Sequence, residues 1–495
     1  MKRAYQHSRC ARTNQKRAGG PICPAHSMPL INPYAGGIDV GATEHYVCVP
    51  ADAVPTGALP VRCFGTFTRD LAALVEWLQK CGVKTVALES TGVYWIPLYE
   101  KLEAAGIRPL LVNARHLHQV PGRKTDVKDC QWIQQLHSYG LLNGSFRPTG
   151  EICHLRTLLR HRGNLIGQRA EQVQHMQRAF QQMNILLHHV VSDLDGDTGL
   201  RILDAILEGQ RDPKELVKLR DSRIKKSTVE EMEAALTGEW RPEQLLVLKQ
   251  ARAIHKFLET QMRECDQAIL EQLKNIPTAP PPPPVDPDKE LDPQLKAELQ
   301  RLLDQQKAQA KEKPKRKRRA GGNEPVQDFL PELNRICGID LTQIGGLNML
   351  SILMLVSELG TDMSPWRSSR AFSAWMGVAP GNKKTGGRII STRTPYVASR
   401  VATLLRTLAV TIGRTDTWLG SFHRRMKARL GPAGAATATA RKLACVIYHL
   451  LKNKEPYVNI DRALYEAKVN AQRIKWLRKQ AEQLGFQVIE NPQLA

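Results

Sequence analysis

Between residues 36 and 142 the chain changes hydrophobic period in a set order, and that order restricts the fold more than any other feature. "GGIDVG" and "HYVCVP" read as strands, and "VRCFGTF" (61–67) as a third. "RDLAALVEWLQKC" (69–81) has helical spacing of its apolar residues, and "KTVALES" (84–90) returns to a strand. "YWIPLYEKLEAAG" (94–106) is a helix ending at Gly106, "RPLLVN" (108–113) a strand, and "DVKDCQWIQQLHSYGLL" after Thr125 a helix. Three strands, then helix, strand, helix, strand, helix, predict a mixed sheet with a hairpin-rich edge and helical crossovers.

The remainder reads differently. Residues 1–35 form a polar, basic tail, and 36–150 the α/β domain. Residues 151–276 are helical. "LRTLLRHRGNLIGQRAEQVQHMQRAFQQMNILL" (155–187) and "EQLLVLKQARAIHKFLETQMRECDQAILEQL" (243–273) suit either a helical bundle or an antiparallel coiled coil, with shorter helices broken near "DGDTG" and "RDP". A linker over 277–327 opens with "PTAPPPPPVDPDKELDP" and closes with the basic tract "KEKPKRKRRAGG", a phosphate-binding segment or a solvated spacer. Residues 328–456 are expected to be compact and mostly helical, and 457–495 a basic helical tail. In "IGGLNMLSILMLVSELG" (344–360), Gly345 and Gly346 open an apolar helix, either as an ordinary helix start or as a phosphate-holding turn like that of a helix-hairpin-helix.

Charge narrows the partner. Lys and Arg total 71 against 48 Asp and Glu, a net +23 over 495 residues, which points to a polyanion. No apolar run reaches the ~18 residues of a membrane span, and the basic N-terminus lacks the apolar segment of a signal peptide. Nucleic acid is therefore the expected partner, with no membrane, in a cytoplasmic, nucleoid-associated protein. The ten cysteines include no C-x-x-C pair, which suits reduced thiols. Cys10 and Cys23 with His7 and His26 match no common zinc spacing.

Against that basic background, "RKTDVKD" (123–129) places Asp126 and Asp129 three residues apart on one helical face. One reading is a helix start, with Thr125 as N-cap and acids in the first turn. A second joins them to Asp39 in "GIDVG" and Glu89 in "ALESTG", whose strand ends can meet at one sheet edge. Four converging carboxylates repel one another unless cations fill the cluster. Mg²⁺ takes such hard oxygen ligands, and two ions can serve phosphodiester chemistry.

The strings "GIDVGATEHYVCV", "VALESTGVYWIPLYEKLEAAGIRPLLVNARHLHQVPGRKTDVKDCQWIQQLHSYGLL" and "FSAWMGVAPGNKKTGGRIISTRT" closely resemble insertion-sequence transposases of the IS-one-ten type. The resemblance covers roughly 36–460, with the 277–325 insertion outside it. It implies an RNase H-like, RuvC-like DEDD domain over 36–150, a helical coiled coil, and a C-terminal serine-recombinase-like transposase domain. By this match Asp39, Glu89, Asp126 and Asp129 are the DEDD tetrad, holding two Mg²⁺ ions or Mn²⁺ in their place. Arg123, Lys124 and Lys128 then flank the metal site as backbone contacts. The resemblance further implies DNA ends and target as substrates and an element-encoded guide RNA. Acting in trans, the two catalytic regions would require a homodimer or homotetramer, with 155–273 the natural interface.

One position departs from the family pattern. Thr385 in "GVAPGNKKTGGRIIS" stands where a nucleophilic serine is usual, and Ser391 is the alternative hydroxyl. Gly386 and Gly387 make a plain turn or allow close approach of a phosphate. Lys383, Lys384, Arg388 and Arg393 are candidate phosphate contacts. Two rival functions remain at this level: a metal-dependent Holliday-junction-type nuclease, and a catalytically decayed transposase that only binds nucleic acid.

Overall fold

The computed structural model describes residues 29–113, 126–224, 227–282, 323–397, 399–459 and 462–489. Expectations for the first 28 residues, Arg123, Lys124, Thr125 and most of the 277–327 linker lie outside the described residues. The chain divides into two compact units, Met1–Arg147 and Pro148–Ala495.

In the first unit, β1 (Ala35–Val40), β2 (Glu44–Cys48), β3 (Val61–Gly65), β4 (Thr85–Glu89) and β5 (Arg108–Val112) form one sheet in the order β3-β2-β1-β4-β5. β1, β2 and β3 pair antiparallel, whereas β1, β4 and β5 run parallel. This is the mixed sheet expected from the order of periods, and it is consistent with the RNase H-like form that the resemblance implies. Strand side chains alternate, so each strand serves both faces. Ile38, Val40, Val47, Val86 and Leu88 line one face, covered by α1 (Thr68–Lys80) and α2 (Trp95–Ala104). From α1 come Leu71, Leu74, Val75 and Leu78, all buried and spaced for one helical stripe. Full burial of each such side chain contributes about 1.5–3 kcal/mol. The opposite face carries Ala87 and Val112 and is covered by α3 (Asp126–Ser138) through Ile133.

The second unit begins with two long helices, α4 (Gly150–Gln182) and α7 (Pro242–Asn275). They run antiparallel: Gln272 bonds to Glu151 at one end and Gln244 to Gln182 at the other. Between them α5 (Asp197–Leu207) and α6 (Val229–Leu236) complete a core around Phe180, Ile202, Leu203, Met232 and Leu248. Further along come α8 (Leu330–Cys337), α9 (Met349–Leu359), α10 (Ser369–Trp375), a hairpin of β6 (Lys383–Thr385) and β7 (Arg388–Ser391), α11 (Arg400–Ile412), α12 (Trp418–Asn453) and α13 (Arg462–Gln483). Arg156 of α4 donates to Ser357 O and Glu358 O, satisfying carbonyls at the C-terminus of α9.

α12 is two helical arms. Gly431 has φ 74° and ψ 176°, and Pro432 follows it. The chain folds back there: His423 Nδ1 and Thr439 Oγ1 lie 3.1 Å apart, whereas sixteen residues of straight helix would separate them by about 24 Å. Among the described residues no helix is long and apolar enough to cross a membrane.

Candidate active site

The site starts from a glycine. A Cβ placed on Gly37 would lie 2.2 Å from Gln134 N and 2.5 Å from Cys130 O. No other residue lets the α3 backbone rest directly on β1. Gln134 Nε2 donates to Ala35 O at 3.2 Å, which fixes the crossing. With α3 seated there, its first turn stands beside Asp39. One carboxylate oxygen each from Asp39, Asp126 and Asp129 lies within 4.8 Å of the others. Asp39 and Asp129 are half-buried and Asp126 is exposed.

Both sequence readings of Asp126 and Asp129 thus describe the same residues. They occupy the first turn of α3, where the helix N-terminus favours acids by about 0.3–1 kcal/mol each. Two carboxylates about 5 Å apart repel by about 3 kcal/mol at an effective dielectric near 20. This repulsion opposes the helix contribution, and the cluster could hold a cation. An all-carboxylate donor set suits a hard divalent ion.

Glu89 is not part of this gathering. The pair Ile38–Leu88 puts Asp39 and Glu89 next in line on neighbouring parallel strands, on the face Glu89 shares with Ala87. Its carboxylate is engaged locally instead, accepting from Thr91 Oγ1 at 2.8 Å. The structure therefore brings together three of the four predicted acids and shows the fourth held by its own turn.

Three residues beside the cluster were missed at the sequence level. Tyr46 lies opposite both Asp39 and Cys63 in the sheet register. Glu44 Oε2 accepts from Tyr46 OH at 3.3 Å and from Cys63 Sγ at 3.5 Å. The hydrogen bond to Cys63 leads in pushing the Tyr46 phenol up to about 12, with the Glu44 charge adding. Partial desolvation raises the Cys63 thiol, helped by Glu44 and by the charge of Asp126. Strand alternation alone could have flagged Glu44 and Tyr46, since they share a parity on β2. Gly37 carried a signal too: glycine inside a strand often marks a close backbone approach.

In the second unit, the "NKKTGGRIIS" stretch is a two-stranded hairpin in an otherwise helical region. Thr385 pairs with Arg388 across a two-residue loop. Gly386 (φ 53°) and Gly387 (φ 78°) both take the positive φ that such tight hairpin turns demand. Thr385, Lys383, Lys384 and Arg388 are exposed. Ser391 is half-buried, and its Oγ accepts from the Arg393 N–H at 3.2 Å. The Gly345–Gly346 turn precedes its helix rather than opening it. Asn348 is the N-cap of α9 and accepts from Ser351 N at 2.9 Å, occupying a donor that a phosphate would otherwise take. Lys128 is exposed on the first turn of α3.

Residues 36–185 match a family model for DEDD-type transposases, described as "Transposase", and residues 340–424 match the "Transposase IS116/IS110/IS902 family". Together the two matches support an IS110-type transposase. No curated protein matches it. The first match spans β1 through α3 and so includes all three gathered aspartates and Glu89. The second includes the hairpin with Thr385 and Ser391. The transposase is thus an enzyme of DNA strand cleavage and transfer, and its DEDD domain implies dependence on a divalent metal. Gly37, the residue that seats α3, lies in the first matched segment.

Proposed function

We propose that this transposase excises and inserts an insertion-sequence element by Mg²⁺-dependent strand cleavage and transfer. The convergence of Asp39, Asp126 and Asp129 from β1 and α3 carries this reading. These three would hold Mg²⁺, with Glu89 joining when it releases Thr91. When bound, the metal supplies charge stabilisation at the scissile phosphodiester. Gly37 keeps α3 against β1 so that the first-turn aspartates stay beside Asp39. Lys128, with Arg123 and Lys124, supplies positive charge for the phosphate backbone.

In this reading Thr385 is the nucleophile. Its exposure next to a Gly-Gly turn favours it over Ser391, whose oxygen already accepts a backbone N–H. The threonine oxygen attacks phosphorus, an O–P ester forms, and one P–O ester of the strand breaks. The hydroxyl proton passes to the released alkoxide. Lys383, Lys384, Arg388 and Arg393 hold neighbouring phosphates. A structured RNA from the element pairs with donor and target DNA, and two or four copies of the chain assemble on it.

A covalent-adduct assay on a denaturing gel tests this, using element-end DNA, element RNA and Mg²⁺. The adduct is expected from wild type and Ser391→Ala, and lost in Thr385→Ala. Asp129→Asn should slow adduct formation by about 10²–10³-fold, the scale seen when one electrostatic stabiliser is removed. Mg²⁺ alone should raise the melting temperature of wild type and not of Asp39→Asn. Cutting without an adduct would overturn the hydroxyl nucleophile, and neither cutting nor adduct would overturn the catalytic reading.

A further inference from the structure

Arg370, Arg393, Arg425, Arg429, Arg441 and Lys442 line one cavity of about 980 Å³ in the second unit. It opens between the two arms of α12, α10 and the strap that follows β7. Only the fold-back at Gly431 lets residues 425–429 and 441–442 face one space. No carboxylate lines the cavity. A second cavity of about 1160 Å³ adjoins it, sharing Arg393, Thr394 and Thr437 and adding Arg400 and Arg406 of α11, again without a carboxylate. Among the described residues none of these eight cations forms an ion pair.

Cations gathered around one volume repel each other, and a polyanion removes that cost. The two cavities share Arg393, Thr394 and Thr437 in their linings, so their cations follow one another around the Thr392–Val397 strap. A path of cations fits a linear chain of phosphates better than a single small anion. Phe422, Met426 and Leu430 give the first cavity an apolar wall, which suits sugars and bases between phosphates.

We propose that the two cavities form one channel gripping the phosphate backbone of a single nucleic-acid strand, with Arg429 and Arg441 among its phosphate contacts. The inference rests on the nucleic-acid reading of this chain and adds a strand-binding channel that adjoins the hairpin's phosphate contacts at Arg393. Its test is equilibrium binding of the full chain without divalent ions, across a salt series. The probes are fluorescent single-stranded DNA, single-stranded RNA and duplex DNA, with inorganic pyrophosphate as competitor. The variants are Arg429→Gln/Arg441→Gln and, as an equal change of charge on exposed α13, Lys475→Gln/Lys479→Gln.

The channel variant should bind single strands about tenfold more weakly and lose about 1.4 from the salt slope, the release expected for two single-strand phosphates. The control should change affinity by less than about twofold. The tighter of the DNA and RNA arms names the strand. Because like charges are removed, the melting temperature of the channel variant should hold or rise. Equal weakening by both variants, displacement by pyrophosphate as effectively as by a strand, or a clear fall in melting temperature would each overturn the proposal. No cutting occurs in this experiment, so a chain that binds here but never cleaves would refute the catalytic reading and leave the channel standing.

Discussion

Arginine serves opposite ends in the long helix pair and in the α11–α12 cavities. Along α4 and α7 the buried guanidinium groups of Arg162 and Arg169, and the half-buried one of Arg252, each have a carboxylate. Arg162 is bound to Asp266, Arg169 reaches Asp195 at 3.1 Å and Glu259 at 3.4 Å, and Arg252 holds Asp204 at 2.7 Å. Around the cavities eight cations form no ion pair among the described residues. A buried cation cannot persist without an internal partner, because desolvation is too costly. An exposed one can, since water and salt screen it until a ligand takes their place. Pairing therefore marks the arginines that build the fold, and its absence marks those available to an anion.

The strongest challenge to this contrast is Asp266→Ala. Arg162 and Asp266 are 2% and 3% exposed, so the variant strands a buried charge. It should destabilise the protein by about 3–5 kcal/mol, whereas Arg162→Met/Asp266→Leu should recover most of that. Denaturant unfolding of the single and double variants checks both. An inexpensive Asp266→Ala would break the comparison.

His137 sharpens it with a base that is buried and kept neutral. Thr85 Oγ1 donates to Arg108 O, so it accepts from His137 Nε2 at 3.0 Å. Burial first, and the Arg108 charge second, lower the His137 pKa to about 4. The unfolded chain takes up this proton near pH 6.5, and the folded one only near 4. Its stabilising contribution is therefore complete above about pH 6.5 and lost as pH falls toward 4, up to about 3 kcal/mol. His137→Gln should flatten the melting temperature of the first unit across that window. An unchanged slope would assign the acid sensitivity elsewhere.

Smaller effects complete the series. Glu358 accepts from Arg160 at 2.8 Å and pairs with Arg156 at 3.3 Å. Glu358→Gln should cost about 1–2 kcal/mol, read by chemical denaturation. Screening around the cavities is smaller still. Modest added salt should raise the melting temperature of wild type slightly more than that of Arg429→Gln/Arg441→Gln.

Much of the first unit was legible residue by residue. Among the described residues, the switch from period two to period three-to-four located the five strands and the three α-helices of the sheet unit, and the mixed topology followed from their order. The acids at the start of α3 were equally plain, as was the Gly-Gly turn beside Thr385. The hairpin around that turn was less so, because a three-residue and a four-residue strand carry too little alternation to stand out in a helical region. Glu89 was read from its strand end, yet Thr91, two residues on, decides where its carboxylate points.

By itself, then, the sequence determined the elements, their order, the family and the local chemistry of single turns, because periodicity and turn preference are written within a few neighbouring residues. Tertiary structure alone decided that Gly37 admits α3 onto β1, and so which carboxylates meet. It also decided that Gly431 folds α12 back on itself, which gathers arginines more than ten residues apart around one space. Both depend on packing between distant residues, where a missing Cβ or one reversed φ sets the approach of whole helices.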